Sequence, residues 1–246
     1  MIKSTRFLNS RRMQHMKTIL PALMALVLAS AASAADIVGV VTLKGTPPPE
    51  KEITPLMANS DCGAMYKTPP TTHFYVVDAK GDLADVVVYL KGVTGKSTGA
   101  SAPPAVLNQK GCLYVPQILA IQTGQKLVVK NSDPCVHNIR TSPTVAGNPE
   151  SNQIQMPGGP DLDYTFPQPE MFLRFACDVH KWMFAWVSVF DSPYFCISGT
   201  DGRFVIKNVP PGKYTVEADH RKLGVQTQDV EVKDSDVTVN FNFEVK

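Results

Sequence analysis

The clearest indication of the fold is the stretch Val237-Thr-Val-Asn-Phe-Asn-Phe-Glu-Val245. Apolar side chains stand at every odd position, and polar side chains lie between them. Because successive side chains of a β-strand point to opposite faces of a sheet, this period of two predicts a strand with one buried face. A helix would repeat its apolar residues every three or four positions instead.

Similar short apolar runs recur along the chain before this stretch. Turn-forming residues separate them, for example Lys80-Gly81-Asp82 and Pro210-Pro211-Gly212. After residue 35, no stretch of about 12 residues keeps a helical period. Closely spaced strands with such turns predict an all-β fold. The other predicted strands are Ile37–Leu43, Phe74–Val77, Val86–Leu90, Leu127–Lys130, Met171–Ala176, Trp186–Phe190, Phe204–Ile206 and Tyr214–Ala218.

The distribution of charge and the missing motifs exclude several classes of function. Residues 1–34 carry five basic and no acidic side chains, whereas the rest of the chain carries 19 basic and 22 acidic ones. A folded part with a formal charge of −3 lacks the basic surface of a nucleic-acid-binding protein. The chain also lacks the hydrolase motifs G-x-S-x-G and H-E-x-x-H. We therefore expect a protein that is not an enzyme.

The first 34 residues have the pattern of a secretory signal peptide. Lys17 precedes the apolar run 19–29, and small residues with an A-x-A pattern follow it and end at Ala34. An uncleaved membrane anchor is the alternative, but Pro21 and the many small residues make a poor membrane-spanning helix. We expect cleavage near Ala34, no transmembrane segment in the mature chain, and a periplasmic or otherwise exported protein.

The chain holds five cysteines, and export changes how they are interpreted. In an oxidising compartment thiols pair, so an odd number leaves one cysteine for another role. If Cys177 is set aside, the other four form two disulfides in one of three pairings. A Cys62–Cys112 bond is the simplest interpretation, and Cys135–Cys196 would be the second bond.

Two segments place histidine beside cysteine. The run Phe175-Ala-Cys177-Asp-Val-His180-Lys-Trp-Met183 closes a predicted strand, and Asn131-Ser-Asp-Pro-Cys-Val-His137-Asn138 leaves another. Together they offer one thiolate, two imidazoles and one thioether. A His₂Cys set with a weak axial Met suits copper electron transfer, because thiolate favours Cu(I) and imidazole accepts both oxidation states. The remaining histidines after residue 34, His73 and His220, are expected at the surface and not as ligands.

These two segments resemble the two halves of a cupredoxin. The run from Tyr114 to Asn138 is similar to the first half, the run 164–166 with the Cys177-x2-His180-x2-Met183 loop is similar to the second, and the short ligand loop is similar to that of amicyanin. The resemblance covers roughly residues 108–190. It implies a single type 1 copper site, with His137, Cys177 and His180 as equatorial ligands and Met183 as the axial ligand.

The same resemblance implies how such a site is tuned and used. The backbone N–H of Asn138 would donate to the Cys177 sulfur, a contact that adjusts the redox potential. The protein would transfer one electron between redox partners, such as a c-type cytochrome or a dehydrogenase. Trp182, two residues after His180 in the loop, would form an exposed apolar docking patch. Trp186 on the following strand would pack in the core.

The flanks resemble a different domain, the carboxypeptidase regulatory-like (transthyretin-like) sandwich. The segments that carry this resemblance are 37–48, 85–90, 201–204 and 209–216. The combination resembles that of exported bacterial proteins, some of which are labelled methylamine-utilisation-like. The two resemblances together imply a cupredoxin Greek-key sandwich that is inserted into, or packed against, a second, transthyretin-like β-sandwich. The predicted organisation is a signal peptide (1–34), the first part of the regulatory-like sandwich (35–97), a cupredoxin-like copper domain (105–192) and the remainder of the regulatory-like sandwich (193–246).

Two other functions remain compatible with the sequence. Cys135-x-His137 and Cys177-x2-His180 together would supply a closed Cys₂His₂ zinc site, which would make the protein a surface interaction module. This alternative leaves Met183 as packing and requires Cys135 to face the metal, whereas we expect Cys135 to turn away beside Pro134. In the other alternative, the protein binds copper for delivery or storage.

Overall fold

The computed structural model describes residues 1–2 and 33–245, so most of the predicted signal peptide lies outside the described residues. The described part is almost entirely β-structure, which confirms the all-β prediction. Its few helices are α1 (Thr54–Ala58), α2 (Ser60–Gly63) and a 3₁₀ turn (Gly99–Ser101). The strands are β1 (Ala35–Lys44), β2 (Val87–Leu90), β3 (Ala105–Gln109), β4 (Tyr114–Val115), β5 (Ile118–Gln122), β6 (Leu127–Asn131), β7 (His137–Ser142), β8 (Ser151–Gln155), β9 (Leu162–Tyr164), β10 (Glu170–Ala176), β11 (Phe184–Phe190), β12 (Phe195–Ile197), β13 (Arg203–Val209), β14 (Gly212–His220), β15 (Gly224–Val232), β16 (Val237–Thr238) and β17 (Phe241–Glu244).

The strands form two β-sandwiches. Strands β3 to β11 build the central sandwich, from sheets of order β5-β11-β10-β7-β8 and β4-β3-β6-β9. The terminal sandwich uses strands from both sides of this segment, in sheets β13-β1-β16, with β17 also on β1, and β12-β2-β14-β15. The central sandwich therefore lies in the sequence between the two parts of the terminal one. None of the described helices is long and apolar enough to span a membrane.

Each sandwich has its own apolar core, as the alternating pattern of the strands predicts. In the central sandwich, the fully buried ring of Phe175 meets Tyr164 and Phe166 edge-on, with ring centroids 5.8 and 5.9 Å apart. In the terminal sandwich, Phe241 and Phe243 point inward from β17 and are buried, while the residues between them face out. Burial of these large rings supplies much of the driving force for folding.

The stretch 237–245 forms two strands instead of one, and the interruption lies opposite Gly39 and Val40 of β1. Strand β1 pairs in parallel with β16 at Ile37 and Val38, and with β17 from Val41 onward. Between these ladders, the Val239 N–H donates to the Val38 carbonyl, and the Asn240 side chain accepts the N–H of Val40. The side-chain amide thus replaces a backbone partner where the ladder is interrupted.

The prediction of a strand at Phe74–Val77 is wrong. The segment bends, and the described residues give it only an isolated bridge between Val77 and Leu83. His73 has a φ of +52°, which turns the chain out of the extended conformation. The N–H of Tyr75 then donates to the Glu50 carboxylate at 2.6 Å instead of to a neighbouring strand. Phe74 stacks against Phe184, with centroids 6.3 Å apart.

Asp191 holds together the points where the chain enters and leaves the central sandwich. Its side chain accepts the N–H of Gly95 at 2.6 Å, and its carbonyl accepts the N–H of Lys96 at 3.0 Å. Thr123, at the end of β5, donates to the same carboxylate at 3.1 Å. We call this set the Asp191 clamp. Nearby, Phe190 packs against Tyr89 and Phe195 of the terminal sandwich.

We predict that Gly39→Ala destabilises the protein. A Cβ at position 39 would lie 1.6 Å from the Val239 carbonyl oxygen and 2.7 Å from the Phe204 ring, so β1 would have to shift. Overpacking of this kind lowers the free energy of unfolding by about 2 kcal/mol. Denaturant unfolding measures it.

The matched control is Val205→Ala on the neighbouring strand, where the side chain is 39% exposed. It should lower the free energy of unfolding by less than about 1 kcal/mol. Equal midpoints for the Gly39 variant and the wild type would contradict the packing described at this crossing.

Candidate metal centre

Strand pairing brings the two histidine–cysteine segments together. His137 is the first residue of β7, and Cys177 follows the last residue of β10. These strands are antiparallel neighbours, with Ala176 opposite Arg140, so the start of β7 meets the end of β10. Residues 177–183, the ligand loop, then turn back into β11. The loop is closed by N–H donation from Cys177 to the Met183 carbonyl at 3.1 Å and from Met183 to the His180 carbonyl at 2.8 Å.

Three potential ligand atoms converge at this point. The Nδ1 atoms of His137 and His180 are 2.9 Å apart, and Cys177 Sγ lies 3.9 Å from His180 Nδ1. All three side chains are at most 3% exposed. A metal in a trigonal plane, with bonds of about 2.0 Å to nitrogen and 2.3 Å to sulfur, separates nitrogen and sulfur ligands by about 3.7 Å. The sulfur–nitrogen distance and the chemistry of this set therefore fit a metal ion, whereas the two nitrogen atoms would have to move about 0.6 Å apart to bind it in that plane.

The two imidazole rings meet through their Nδ1 atoms at hydrogen-bond distance. Two unprotonated nitrogen atoms 2.9 Å apart repel each other, so a proton or a metal ion must lie between His137 and His180. Burial and the neighbouring His137 ring both lower the pKa of His180, which keeps its imidazole neutral. A neutral imidazole is the form that binds a metal.

Asp133 orients the His137 ring. Its carboxylate accepts from His137 Nε2 at 2.9 Å and also accepts the backbone N–H groups of Gly111 at 2.6 Å and Cys112 at 2.7 Å. With the Nε2 proton directed at Asp133, the Nδ1 lone pair of a neutral His137 points at His180. Carboxylates that accept from the second nitrogen of a ligand histidine fix its tautomer and raise its basicity.

The Cys177 thiol is stabilised in its ionised form. Burial alone would raise its pKa, but contact with the His137 ring and donation by the N–H groups of Asn138 and His180, both at 3.4 Å, hold the pKa below its usual range. Thiolate is the form that binds metals. The Asn138 contact is the one that the cupredoxin resemblance implied.

A disulfide covers the other edge of His180. Cys62 of α2 is bonded to Cys112, as predicted, and Cys62 Sγ lies 3.5 Å from His180 Nε2. The indole of Trp182 packs beside the same imidazole, with centroids 5.1 Å apart, and donates to the Cys112 carbonyl at 3.0 Å. Trp182 is therefore only half-exposed, and His180 has almost no contact with solvent. In the part of the chain that the structure describes, His180 itself is therefore not exposed for docking, and Trp182 is the partly exposed side chain beside it.

The expectations for Cys135 are wrong in two respects. Cys135 and Cys196 are both free, so the second predicted disulfide is absent from the described residues. Cys135 also does not turn away, since its sulfur lies 3.6 Å from His137 Nε2 and 3.6 Å from the Cys112 sulfur. It contacts the Nε2 side of the ring, whereas Cys177 lies with the Nδ1 atoms. A single closed Cys₂His₂ zinc site does not match this placement.

Met183 is fully buried at the end of the ligand loop and belongs to the core of the central sandwich. Its position in the loop agrees with the expected spacing, and its role as the axial donor stays a prediction.

The two remaining histidines among the described residues differ in their exposure. His73 is exposed, as expected, but the surface placement of His220 is wrong, because its side chain is 2% exposed in the terminal sandwich. Its ring lies near Tyr75 and Phe243, with centroids 5.8 and 6.3 Å away. Burial, followed by the charge of Lys222, lowers the pKa of His220 to about 4, so it is a neutral core residue at pH 7.

Sequence reasoning missed Asp133 and the involvement of the disulfide in the site. Asp133 stands four residues before His137, in a Pro-containing loop where an Asx turn is an ordinary expectation. Only the folded loop shows that this carboxylate reaches the ring. The segment around Cys62 is separated from His180 by 118 residues, so no local signal connects them.

The known proteins that are similar to this chain match only parts of it. Residues 195–246 match a family model described as the second β-sandwich domain of BOS complex subunit NOMO1-like proteins, which covers about a fifth of the sequence. No curated protein sequence matches the chain.

Several solved structures of copper proteins are similar to part of the chain. The Cu-containing nitrite reductase of Thermus scotoductus is 19% identical with a TM-score of 0.33, over 41% of this chain and 25% of its own. A point mutant of amicyanin in its Cu(I) form is 15% identical with a TM-score of 0.32, over 42% of this chain and 97% of its own. A purple cupredoxin from Nitrosopumilus maritimus is 21% identical with a TM-score of 0.30, over 35% and 98%. The chain thus spans a quarter of the nitrite reductase, and TM-scores this low support no conclusion about activity.

We predict that Asp133→Asn weakens metal binding. An amide at position 133 cannot accept from the His137 ring and from both backbone N–H groups as the carboxylate does. Loss of such a supporting contact typically costs about 10- to 100-fold in metal affinity. Competition with a chelator of known affinity measures the change.

Asp163→Asn is the matched control, because Asp163 is exposed on β9 and pairs with Lys126. It should leave metal affinity unchanged. If the two variants bind metal equally well, Asp133 does not support His137 in the way described.

Proposed function

We propose that this protein is a mononuclear type 1 copper protein that transfers single electrons between redox partners. The observation that carries the proposal is the convergence of one buried thiolate sulfur with two buried imidazole Nδ1 atoms. This donor set is the one that blue-copper electron-transfer sites use. Bound copper would supply the one-electron couple, with His137, Cys177 and His180 as equatorial ligands and Met183 as the axial one. No bond-changing reaction, and hence no enzymatic activity, is proposed.

The surrounding protein supports rapid electron transfer because it holds the ligands in place. His137 is anchored by Asp133, and Cys177 is anchored by three backbone contacts. The Asn138 side chain binds the N–H of Asp178 in the ligand loop and the side chain of Asn152 on β8. Ligands fixed by rigid strands move little when the metal changes oxidation state, which keeps the reorganisation energy small.

The proposed route for the electron runs past Trp182. The disulfide and the residues around α2 shield His180, whereas Trp182 contacts His180 and is half-exposed. Trp182 also lines a cavity of about 690 Å³ together with Leu113 and Phe184. A protein redox partner, such as a c-type cytochrome or a dehydrogenase, would therefore approach on this side. The expected setting is periplasmic or otherwise exported, as for the exported methylamine-utilisation-like proteins that the sequence resembles.

Copper delivery is the competing function, and the burial of the site disfavours it. Delivery requires ligands that a recipient protein can reach and exchange. Here the donor atoms of the three ligands lie beneath the disulfide and the ligand loop, and their side chains are at most 3% exposed. An enclosed site favours retention of the metal through many redox cycles.

The first test is the visible spectrum of the protein after addition of Cu(II). We expect an intense thiolate-to-copper band that a reductant bleaches and that is lost in Cys177→Ser, because the thiolate supplies the charge-transfer electron. Cys196→Ser is the control, since burial raises the pKa of Cys196 to about 12 and keeps it a thiol. A colourless protein that binds zinc tightly instead would refute the redox function.

The second test separates electron transfer from delivery. The copper-loaded protein should show a reversible potential and should lose copper only slowly to a mild Cu(I) chelator, since the ligands are buried. Rapid and complete loss to the chelator, without a stable potential, would favour delivery.

A further inference from the structure

A separate cavity of about 200 Å³ opens where the central and terminal sandwiches meet. We call it the seam cavity. Three aromatic rings line it: Phe184 and Trp186 from β11, and Phe74 from the bent segment of the terminal sandwich. The rings of Phe184 and Trp186 meet edge-on at 6.3 Å, and Phe74 stacks on Phe184. These rings provide flat apolar walls, which suit a planar ligand.

Three cationic side chains line the same cavity. The guanidinium carbon of Arg221 lies 3.8 Å from the centroid of the Trp186 ring, and Lys222 Nζ lies 4.1 Å from that of Phe74. Arg174 stands opposite Trp186 in the β10–β11 ladder. Stacking on aromatic faces holds a cation in place but leaves its N–H donors unused.

None of these three cations forms a close ion pair with an acidic side chain of the described residues, although the carboxylate of Asp219 acts on Arg221 from a longer distance. The described residues form nine ion pairs within 4 Å, and Arg174, Arg221 and Lys222 take part in none of them. Three positive charges outnumber the one carboxylate that lines this small cavity, which favours an anion inside it. Arginine in particular presents a fork of donors that matches a carboxylate.

The one carboxylate among the described residues that line the seam cavity is Asp85. It also lines the larger cavity beside Trp182, whereas the three cations line only the seam cavity. An anionic group is therefore attracted to the side of the cavity with the three cations and repelled by the carboxylate of Asp85. This asymmetry favours a ligand with a single anionic group over one with anionic groups at both ends.

We propose that the seam cavity binds a small monocarboxylate with one planar ring. The carboxylate would accept from Arg221, with Lys222 and Arg174 adding charge. The ring would lie against Phe184 and against the parts of Trp186 and Phe74 that the two cations leave uncovered. The volume of the cavity, below the range of about 300–1,000 Å³ typical of drug-sized ligands, limits the ligand to about one ring. The proposal does not depend on copper, because none of the proposed copper ligands lines the cavity.

Calorimetric titration of the full-length protein with benzoate tests this site. We expect saturable binding with one site, at least about tenfold weaker in both Arg221→Gln and Lys222→Gln, because each variant removes a charged donor. Benzamide, which has the same shape without the charge, should also bind at least about tenfold more weakly.

Arg203→Gln is the control variant, since Arg203 is exposed and already paired with Asp201. It should bind benzoate like the wild type. Circular dichroism establishes that each variant is folded. The absence of saturable heat at millimolar benzoate, or full binding by both seam-cavity variants, would overturn the proposal.

Discussion

The antiparallel pairing of β7 with β10 is the constraint on which the candidate metal centre depends. It places the first residue of one strand beside the residue that follows the other, so that His137 and Cys177 meet without any loop having to reach far. In the ligand loop, only Asp178 and Val179 separate Cys177 from His180, so a tight turn brings His180 beside His137 and Cys177. Everything else around the site, including Asp133, Asn138 and the disulfide, stabilises an arrangement that the sheet has already made.

The sequence was most informative where the pattern is local. The alternation at residues 237–245 predicted buried Phe241 and Phe243 correctly, because the period of two reflects the geometry of a strand wherever it lies. The same alternation did not reveal the interruption near Asn240, since it involves a contact with Val40, 200 residues earlier. At Phe74–Val77 the apolar run was a poor guide, because the segment is held by the Glu50 carboxylate and turned by His73.

For the metal centre, the spacing of histidine and cysteine in the sequence predicted which three side chains come together. It did not predict which residues surround them. His137, Cys177 and His180 follow from motifs within single segments, whereas the shielding of His180 comes from Cys62, which is distant in sequence. Cys135 illustrates the limit most clearly. The odd number of cysteines and the expected export suggested that Cys135 forms a disulfide. The fold instead places its thiol against the His137 ring and the Cys62–Cys112 disulfide. Counting cysteines cannot show which sulfurs are brought together.

The Asp191 clamp has a consequence for the order in which the protein assembles. Strand β1 must find partners that are synthesised some 200 residues later, and closing so long a loop in an unfolded chain is entropically unfavourable. Once the central sandwich has folded, the Asp191 clamp holds Gly95 close to Asp191. The chain that must be closed between β1 and its partners is then effectively much shorter. Formation of the central sandwich would thus precede that of the terminal sandwich, whose first strand has no strand partner until β13 has been synthesised.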